Sequence, residues 1–248
     1  MKIYDNGIFE NEYHINISQI GIHNCLTNKS FLSILENVAG AHSAYYHISF
    51  EDLAKDNLGW IILDWKLKVF KRPKLDDVVR AQTWGRKFNK LFVWRDFRVY
   101  DQNNELCAIA TSMWSLLDYS KRKMGRMPEH LDKIYNKFCD ENVFEEELIP
   151  KIQIPEGEPI NCDEYKIRRF DIDINQHVHN LNYLDIAYEA LPFDVFMEKE
   201  HNEVQIEYKR EIQYGENVKS YLYKDGDRYV IVMKNDDESV IHAVIELK

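Results

Sequence analysis

The chain has 248 residues, enough for one large domain or two ordinary ones, and enough to bury a core without disulfides or a structural metal. Its 32 Lys and Arg against 42 Asp and Glu give a formal net charge of −10, which argues against nucleic acid and anionic membranes as general partners. Aromatic residues reach 13 % while Gly (9) and Pro (6) are scarce, a balance that argues against disorder and favours strands.

The cysteines and the N-terminus bear on the cellular compartment. No C-x-x-C pair occurs, so zinc ribbons and thioredoxin-like motifs are disfavoured and reduced thiols are expected. The first residues contain no apolar signal-peptide core, and no apolar stretch approaches the roughly 20 residues that span a bilayer. We therefore expect a soluble, cytoplasmic protein with no membrane span.

The first half follows the order strand, helix, strands. Alternation over Tyr13–Ile17 predicts a strand, and apolar residues at helical spacing predict a helix over Phe31–His42, with Thr27 or Asn28 as its N-cap. Four further strands are predicted, with a hairpin turn over Asp101–Asn104 between the last two: Trp60–Val69, Val78–Trp84, Leu91–Tyr100 and Leu106–Leu117.

The second half repeats this order. Lys166–Ile172 is strand-like and Asn182–Leu191 has helical apolar spacing. Phe31–Ile34 matches Tyr183–Ile186 at an offset of 183 − 31 = 152, and Leu67–Phe70 matches Ile206–Lys209 at an offset of 206 − 67 = 139. The remaining predicted strands are Glu203–Tyr214, Val218–Lys224, Arg228–Lys234 and Val240–Leu247.

One helix held by a long antiparallel sheet, present twice, is the pattern of a tandem (double) hotdog fold. We therefore predict an α+β protein in which each half is a long helix wrapped by an antiparallel sheet. The second copy pairs with the open sheet edge that a single copy would leave. The predicted organisation is an N-terminal hotdog over 1–135, an acidic linker over 136–161 and a C-terminal hotdog over 162–248.

A polar block between the strand and the helix of the second half carries candidate chemistry. Seven of the thirteen residues in Asp171–Tyr183 are Asp, Asn or His. If the segment is extended, Asp173, Asn175 and His177 project to one side and offer a charge, an amide and a group that titrates near neutrality. The alternatives are a polar turn with helix caps, and a metal site with His177 and His179, which lacks a third His. We expect neither metal nor cofactor.

The pattern Asp171-x-Asp173-x-Asn175-Gln176-His177-Val178-x-Asn180-x-x-Tyr183 resembles the signature of acyl-acyl carrier protein (acyl-ACP) thioesterases, the chain-terminating enzymes of fatty acid synthesis. Glu207–Glu211 resembles the E-Y-R-R-E block of that family. Shorter stretches of the first half also fit: Val69–Pro73, Asp76–Val79, Thr83–Trp84, Trp94–Asp96 and Ala110–Trp114.

The resemblance implies a tandem hotdog and hydrolysis of fatty acyl-ACP to the free fatty acid. An acyl-coenzyme A thioesterase and a non-catalytic acyl-binding hotdog module are the alternatives. Plant members carry a plastid transit peptide that this sequence does not display, so a bacterial-type member is expected.

Two departures from the family pattern shape the expected mechanism. Ile212 stands where the family commonly has Cys, so no cysteine nucleophile is available there and water must be activated. The resemblance supports Glu211 as the base, with His177 as a contender, Asn175 to position water or polarise the carbonyl, and Asp173 to hold the Asn–His geometry. Without the resemblance, Glu211 is better explained as a surface charge on a strand.

The second departure is His179, which replaces the Asn usual in plant members and has no assigned role. Backbone N–H groups at the start of the helix at Asn182 are expected to be available for the oxyanion.

Binding surfaces are expected in both halves. By analogy the acyl chain lies against the helix of the first half, lined by Leu35, Val38 and Ala39, although core packing is the better explanation for any one of these. Lys121, Arg122, Lys123 and Arg126 place four cations in six residues, which suits docking of an acidic carrier protein but also an ordinary solvated charge run. The expected partners are an acyl carrier protein and, as an alternative to a monomer, a second copy of the chain.

Overall fold

The computed structural model describes residues 1–127, 139, 141–198 and 200–248, which divide into two compact units, Met1–Ile149 and Pro150–Lys248. Residues 128–138 and 140, which belong to the predicted N-terminal hotdog and linker, lie outside the described residues. No helix in the described part of the chain is long and apolar enough to cross a membrane.

The first unit holds an antiparallel sheet with strand order β1-β2-β4-β5-β6-β3, and β7 pairs with β6. Helix α1 packs against β2 and β4, and the short helix α2 against β3. The elements are β1 (Lys2–Ile3), β2 (Phe9–His14), α1 (Asn28–Tyr45), α2 (Phe50–Ala54), β3 (Leu58–Val69), β4 (Val78–Phe88), β5 (Phe92–Asp101), β6 (Leu106–Asp118) and β7 (Lys123–Gly125).

Helix α1 forms where apolar spacing and capping agree. The Thr27 hydroxyl accepts a hydrogen bond from the Ser30 backbone N–H at 3.1 Å, which satisfies one of the unpaired donors at the helix start. Phe31, Leu35 and Val38 are buried on the face toward the sheet, and each contributes about 1.5–3 kcal/mol of apolar burial. The helix predicted over Phe31–His42 is therefore confirmed and runs slightly longer at both ends.

The strand predicted over Tyr13–Ile17 is wrong in its bounds, since β2 ends at His14. The chain turns there because Ile17–Gln19 forms a 3₁₀ turn. The Gln19 side chain accepts from the Asn16 backbone N–H at 2.9 Å and closes that turn. The other four strands of the first half and the hairpin turn after β5 are confirmed.

The second unit holds an antiparallel sheet with strand order β9-β12-β11-β10-β8. Helix α3 contacts β12. The elements are β8 (Asn161–Lys166), α3 (Asn182–Glu189), α4 (Phe193–Glu198), β9 (Glu203–Tyr208), β10 (Asn217–Asp225), β11 (Arg228–Asn235) and β12 (Ile241–Leu247).

Two strands and one helix of the second half differ from prediction. The strand predicted over Lys166–Ile172 lies earlier, as β8, because Arg169–Asp171 forms a 3₁₀ turn. The strand predicted over Glu203–Tyr214 ends at Tyr208, where the next two backbone N–H groups both donate to the His242 carbonyl and break the ladder. The helix predicted over Asn182–Leu191 is present as α3 but ends at Glu189 and has 8 residues, so it is shorter than the long helix expected there.

The two units share one local design at a constant offset of 152. Each 3₁₀ turn leads into a loop closed by a β-bridge, Ile20 to Leu26 in the first unit and Ile172 to Val178 in the second. Asn24 (φ 54°) and Gln176 (φ 66°) occupy the left-handed region at equivalent places in these loops. The internal repeat predicted from short sequence matches is therefore present in the backbone.

Candidate active site

The candidate catalytic residues of the second unit lie on a tight loop before α3. The Asp173 N–H donates to the His177 carbonyl at 2.8 Å, and the Gln176 N–H donates to the Asp173 carbonyl at 3.0 Å. With Gln176 left-handed, the segment is a turn and not an extended strand. Asp173, Asn175 and His177 are therefore grouped by loop closure and not by strand alternation.

The Asp173 carboxylate organises this loop from within. Its Oδ1 accepts the Asn175 backbone N–H at 2.8 Å and lies 3.4 Å from the His177 backbone nitrogen. An Asp side chain that bonds backbone two residues ahead is an Asx turn, which fixes the path of the following residues. The Asn175 side-chain Nδ2 lies 3.5 Å from Asp173 Oδ2, at the limit of a hydrogen bond.

His177 and Glu211 meet although 34 residues separate them (211 − 177). His177 Nε2 lies 3.4 Å from Glu211 Oε1, and the two side chains are 29 % and 51 % exposed. The register is set by the backbone, because the Val178 N–H donates to the Ile212 carbonyl at 2.8 Å. The site therefore presents an imidazole and a carboxylate together, both within reach of water.

Tyr183 holds the segment that carries Glu211. Its hydroxyl accepts the Ile212 N–H at 3.0 Å and donates to the Arg210 carbonyl at 3.4 Å. Burial raises the pKa of this hydroxyl, so it stays protonated. The Tyr183 ring stands edge-on to Tyr208 with 5.3 Å between centroids. Sequence reasoning gave Tyr183 no role, although its place at the end of the polar block was a signal.

Asp171 supports the loop from the preceding 3₁₀ turn. Burial alone would raise its pKa, but hydrogen bonds from the Arg168 guanidinium, the Arg168 N–H and the Tyr165 hydroxyl outweigh burial and hold the pKa below its usual range. The Asp171 carbonyl accepts from the His179 N–H at 2.8 Å and from the Asn182 side chain at 3.0 Å.

His179 supports the turn that leads into α3, which answers the role that the sequence left open. Its Nδ1 accepts the Leu181 N–H at 3.2 Å, and its carbonyl accepts the Asn182 N–H at 2.8 Å. The next two N–H groups, of Tyr183 and Leu184, donate to carbonyls of the preceding turn. The prediction that these N–H groups are available for an oxyanion is therefore wrong, because local bonds already use them.

The predicted binding residues of the first unit are placed as follows. Leu35, Val38 and Ala39 are buried on α1. The four cations of the predicted docking cluster are exposed on and beside the β6–β7 hairpin, and Lys121 Nζ lies 2.7 Å from an Asp118 carboxylate oxygen. No group of three or more side chains arranged to hold a metal ion occurs among the residues that the structure describes.

A buried polar pair lies close to the predicted acyl-chain residues. His42 Nδ1, on the same helix as Leu35 and Ala39, lies 2.8 Å from Arg95 Nη1. Burial, with the Arg95 charge adding to it, lowers the pKa of His42 to about 2, so the imidazole is neutral at physiological pH. The sequence placed His42 only at an apolar helix position.

Two domain models match the chain in sequence order. The model described as the acyl-ACP thioesterase N-terminal domain matches residues 6–135, and the model described as the C-terminal domain matches residues 156–246. The chain belongs to the acyl-ACP thioesterase family.

Individual relatives of the acyl-ACP thioesterase family agree with this. Oleoyl-acyl carrier protein thioesterase 2 of Arabidopsis thaliana, a chloroplastic protein, is 25 % identical over 247 residues, which cover 93 % of this chain and 67 % of that protein. The chain spans about two thirds or less of the length of the curated plant relatives that it matches.

Solved structures show the fold. An acyl-ACP thioesterase from Bacteroides thetaiotaomicron superimposes with a TM-score of 0.85 at 20 % identity, covering 97 % of this chain and 96 % of that one. The 12:0-ACP thioesterase from Umbellularia californica gives a TM-score of 0.87 at 18 % identity, covering 100 % and 98 %. The predicted tandem hotdog fold, of the α+β class, is confirmed.

In this acyl-ACP thioesterase family member the two repeats have similar backbones but different side chains at the positions of the candidate catalytic residues. The offset of 152 places Gly21, His23 and Cys25 where the second unit has Asp173, Asn175 and His177. The offset of 139 places Arg72 where it has Glu211, and Arg72 donates to the Leu26 carbonyl at 3.0 Å. The first repeat therefore has no carboxylate at these positions, and its histidine replaces Asn175 and not His177.

Proposed function

We propose that this protein hydrolyses the thioester of fatty acyl-ACP, releases the free fatty acid and so terminates fatty acid synthesis in the cytoplasm. The observation that carries the proposal is the 3.4 Å approach of His177 to Glu211, which joins the two blocks that resemble family sequences. A module that only binds acyl groups has no need of such a pair.

The proposed reaction begins with water. Glu211 accepts a proton from a water molecule while the water oxygen attacks the thioester carbonyl. His177 is the alternative candidate for the base that accepts this proton. The tetrahedral intermediate collapses, the C–S bond breaks, and the thiol leaves with the proton that the base accepted. Because the first N–H groups of α3 are already bonded, the amide of the exposed Asn175 is the donor that we assign to the developing oxyanion.

The first unit would bind the rest of the substrate. Leu35, Val38 and Ala39 would line the acyl chain, since their helix presents an apolar face toward the sheet. The exposed cluster of Lys121, Arg122, Lys123 and Arg126 would attract an acidic carrier protein.

The test of this function is hydrolysis of one acyl group carried by either ACP or coenzyme A. We expect the ACP thioester to give the higher kcat/KM, and equal or better turnover of the coenzyme A thioester would favour the alternative activity. We expect Glu211→Gln to lower kcat by about 100-fold or more, the range of a lost general base.

The series is completed by His177→Ala, Asn175→Ala and Asp173→Ala, each checked for folding. Glu164→Gln is the matched control, because Glu164 is an exposed carboxylate on β8. Full activity in both the Glu211 and His177 variants would contradict the assignment, and the larger of their two losses identifies the base.

A further inference from the structure

Two apolar side chains, one directly before the candidate catalytic loop and one within it, are exposed to solvent. Phe170, in the 3₁₀ turn Arg169–Asp171, is 99 % exposed, and Ile174, within the loop, is 83 % exposed. Burying an apolar side chain is favourable, and the folded chain leaves these two in contact with water. Scattered exposed apolar residues are common, and exposure alone does not identify a binding surface.

The internal repeat shows that the turn does not need these residues to fold. The first-unit turn has Asn16, Ile17 and Ser18 where the second has Arg168, Arg169 and Phe170. The backbones agree, with cap angles of φ −99° and ψ 161° in one and φ −91° and ψ 159° in the other. In both, the third residue of the turn accepts the N–H of the cap residue, at 2.9 Å and 2.7 Å.

The turn itself explains why Arg168 is present but does not explain Arg169 and Phe170. Arg168 pairs with the buried Asp171 carboxylate at 2.8 Å and so supports the turn. Arg169 and Phe170 are exposed, and at the same positions of the first unit an isoleucine and a serine serve the same backbone. Ile17 in the first unit is itself 71 % exposed, so what distinguishes the second turn is a cation beside an aromatic ring, which the fold of the turn does not require.

We propose that Arg169, Phe170 and Ile174 form a docking face for the acyl carrier protein, in addition to the cluster on the β6–β7 hairpin. This inference rests on the proposed function. Three Cα–Cα steps put Phe170 no more than about 11 Å from Asp173, and Ile174 lies between Asp173 and Asn175. A carrier seated here would hold its thioester arm at the loop.

Charge favours an acidic carrier over a second copy of this chain. Lys166, Arg168 and Arg169 are exposed together, and Arg210 is exposed next to Glu211. A two-fold symmetric contact centred on this face would bring the cations of the two copies together, which costs free energy, whereas an acidic surface with an apolar patch complements both the cations and Phe170.

The test is the double substitution Arg169→Ile and Phe170→Ser, which gives the second turn the residue types found at the same positions of the first turn. Arg168 is left in place. Loss of two central contacts should raise KM for acyl-ACP by about 10-fold with kcat unchanged. Hydrolysis of the same acyl group on coenzyme A should change by less than about twofold. Binding of holo-ACP without an acyl group should weaken by the same factor as KM.

The control is Lys224→Ala, which removes an exposed cation at the far end of β10. Lys224 lies about 23 Å along the strand from Asn217, the residue paired with Lys166 at the entrance to the turn. This variant should leave KM and holo-ACP binding unchanged. Thermal unfolding of the double variant should match the unaltered protein, since the first unit uses the same residues in the same turn.

Unchanged KM and unchanged holo-ACP binding in the double variant would overturn the docking face while acyl-ACP hydrolysis by the unaltered protein still supports the function. A different result would separate the two proposals in the other direction. If the unaltered protein hydrolyses neither thioester but binds holo-ACP, and the double variant binds it more weakly, the function is contradicted and the docking face is supported. If the unaltered protein neither binds holo-ACP nor hydrolyses acyl-ACP, both proposals fail. A change of oligomeric state, or lost binding to anionic-lipid vesicles with holo-ACP binding intact, would assign the face to another partner and overturn the inference.

Discussion

The backbone on both sides of Glu211 is fixed by the hydroxyl of Tyr183, which accepts the Ile212 N–H and donates to the Arg210 carbonyl. Glu211 itself is half exposed, and its carboxylate lies 3.4 Å from the His177 ring. The direction of the carboxylate therefore depends on a buried residue that need not touch substrate. This makes Tyr183 a positioning residue.

We predict that Tyr183→Phe lowers kcat by about 10-fold with little change in KM, because misplacement of a catalytic group raises the barrier to reaction without weakening substrate binding. The Ile212 N–H would lose its acceptor in a buried place, which costs about 1–3 kcal/mol of folding free energy. Steady-state kinetics and thermal unfolding measure the two effects.

Tyr208→Phe is the matched control for that variant. It removes the hydrogen bond from the neighbouring ring to the Asn180 carbonyl at 3.0 Å and leaves the Glu211 segment bonded. We expect it to lower stability and to spare most of kcat. A Tyr183→Phe protein that loses stability but keeps full kcat would show that the hydrogen bonds of Tyr183 to Ile212 and Arg210 stabilise the fold without positioning Glu211 for catalysis.

At the residue scale, identities were predictable from the sequence and contacts were not. Asp173, Asn175 and His177 stand out by residue type and spacing, yet the loop that groups them depends on the left-handed Gln176, which alternation cannot reveal. The role of Tyr183 stayed hidden because its partners lie 27 and 29 residues away along the chain.

At the scale of elements, the 3₁₀ turn Arg169–Asp171 decides where β8 ends and where the loop begins. The sequence predicted a strand over Lys166–Ile172, because a strand-like residue pattern gives no sign of a side chain that hydrogen-bonds the backbone of a nearby residue. The Asp171 carboxylate makes such a bond: it accepts a hydrogen bond from the Arg168 backbone N–H at 2.7 Å and another from the Arg168 guanidinium at 2.8 Å. Local capping overrides strand propensity at this point.

The lowered pKa of Asp171 makes this element sensitive to acid. Its stabilisation is present above the unfolded pKa of a carboxyl, about 3.9, and is lost as the pH falls through the lower folded value. Arg168→Gln should raise the folded pKa of Asp171 toward the unfolded value, so the variant should lose less stability than the unaltered protein as the pH falls from about 4 to 3. At pH 7 we expect a cost of no more than about 1 kcal/mol, since the Arg168 side chain is largely exposed.

Urea unfolding between pH 3 and pH 7 measures this effect. Arg169→Gln, on the neighbouring exposed residue, is the control and should follow the unaltered protein. Identical pH profiles for Arg168→Gln and the unaltered protein would show that the N–H and Tyr165 bonds alone hold the Asp171 carboxylate.

At the scale of the whole chain, the repeat was the most reliable prediction. The order of strand, helix and antiparallel strands recurs in both halves because each unit must bury one helix against one sheet face. The length of α3 was overestimated, since apolar spacing continues to Leu191 although the helix ends at Glu189. Family membership followed from the polar block and is confirmed by both domain models.

The first unit also contains a histidine that resists protonation. His42 is buried against Arg95 and stacks on Phe9 with 5.1 Å between ring centroids. Its folded pKa of about 2 lies well below the value of about 6.5 for an unfolded chain. The unfolded state therefore binds one more proton than the folded state across this interval, so the contribution of His42 is complete above pH 6.5 and declines as the pH falls.

We predict that this histidine steepens acid unfolding of the first unit. Its contribution to the free energy of unfolding should fall by about 1.4 kcal/mol per pH unit, or about 2.7 kcal/mol between pH 6.5 and pH 4.5. His42→Gln keeps an acceptor for Arg95 but does not titrate, so its stability should decline less steeply over that range. His14→Gln, at an exposed position on β2, is the control and should keep the original slope. Equal slopes for His42→Gln and the unaltered protein, measured by urea unfolding at each pH, would mean that the buried imidazole finds a way to accept a proton without unfolding.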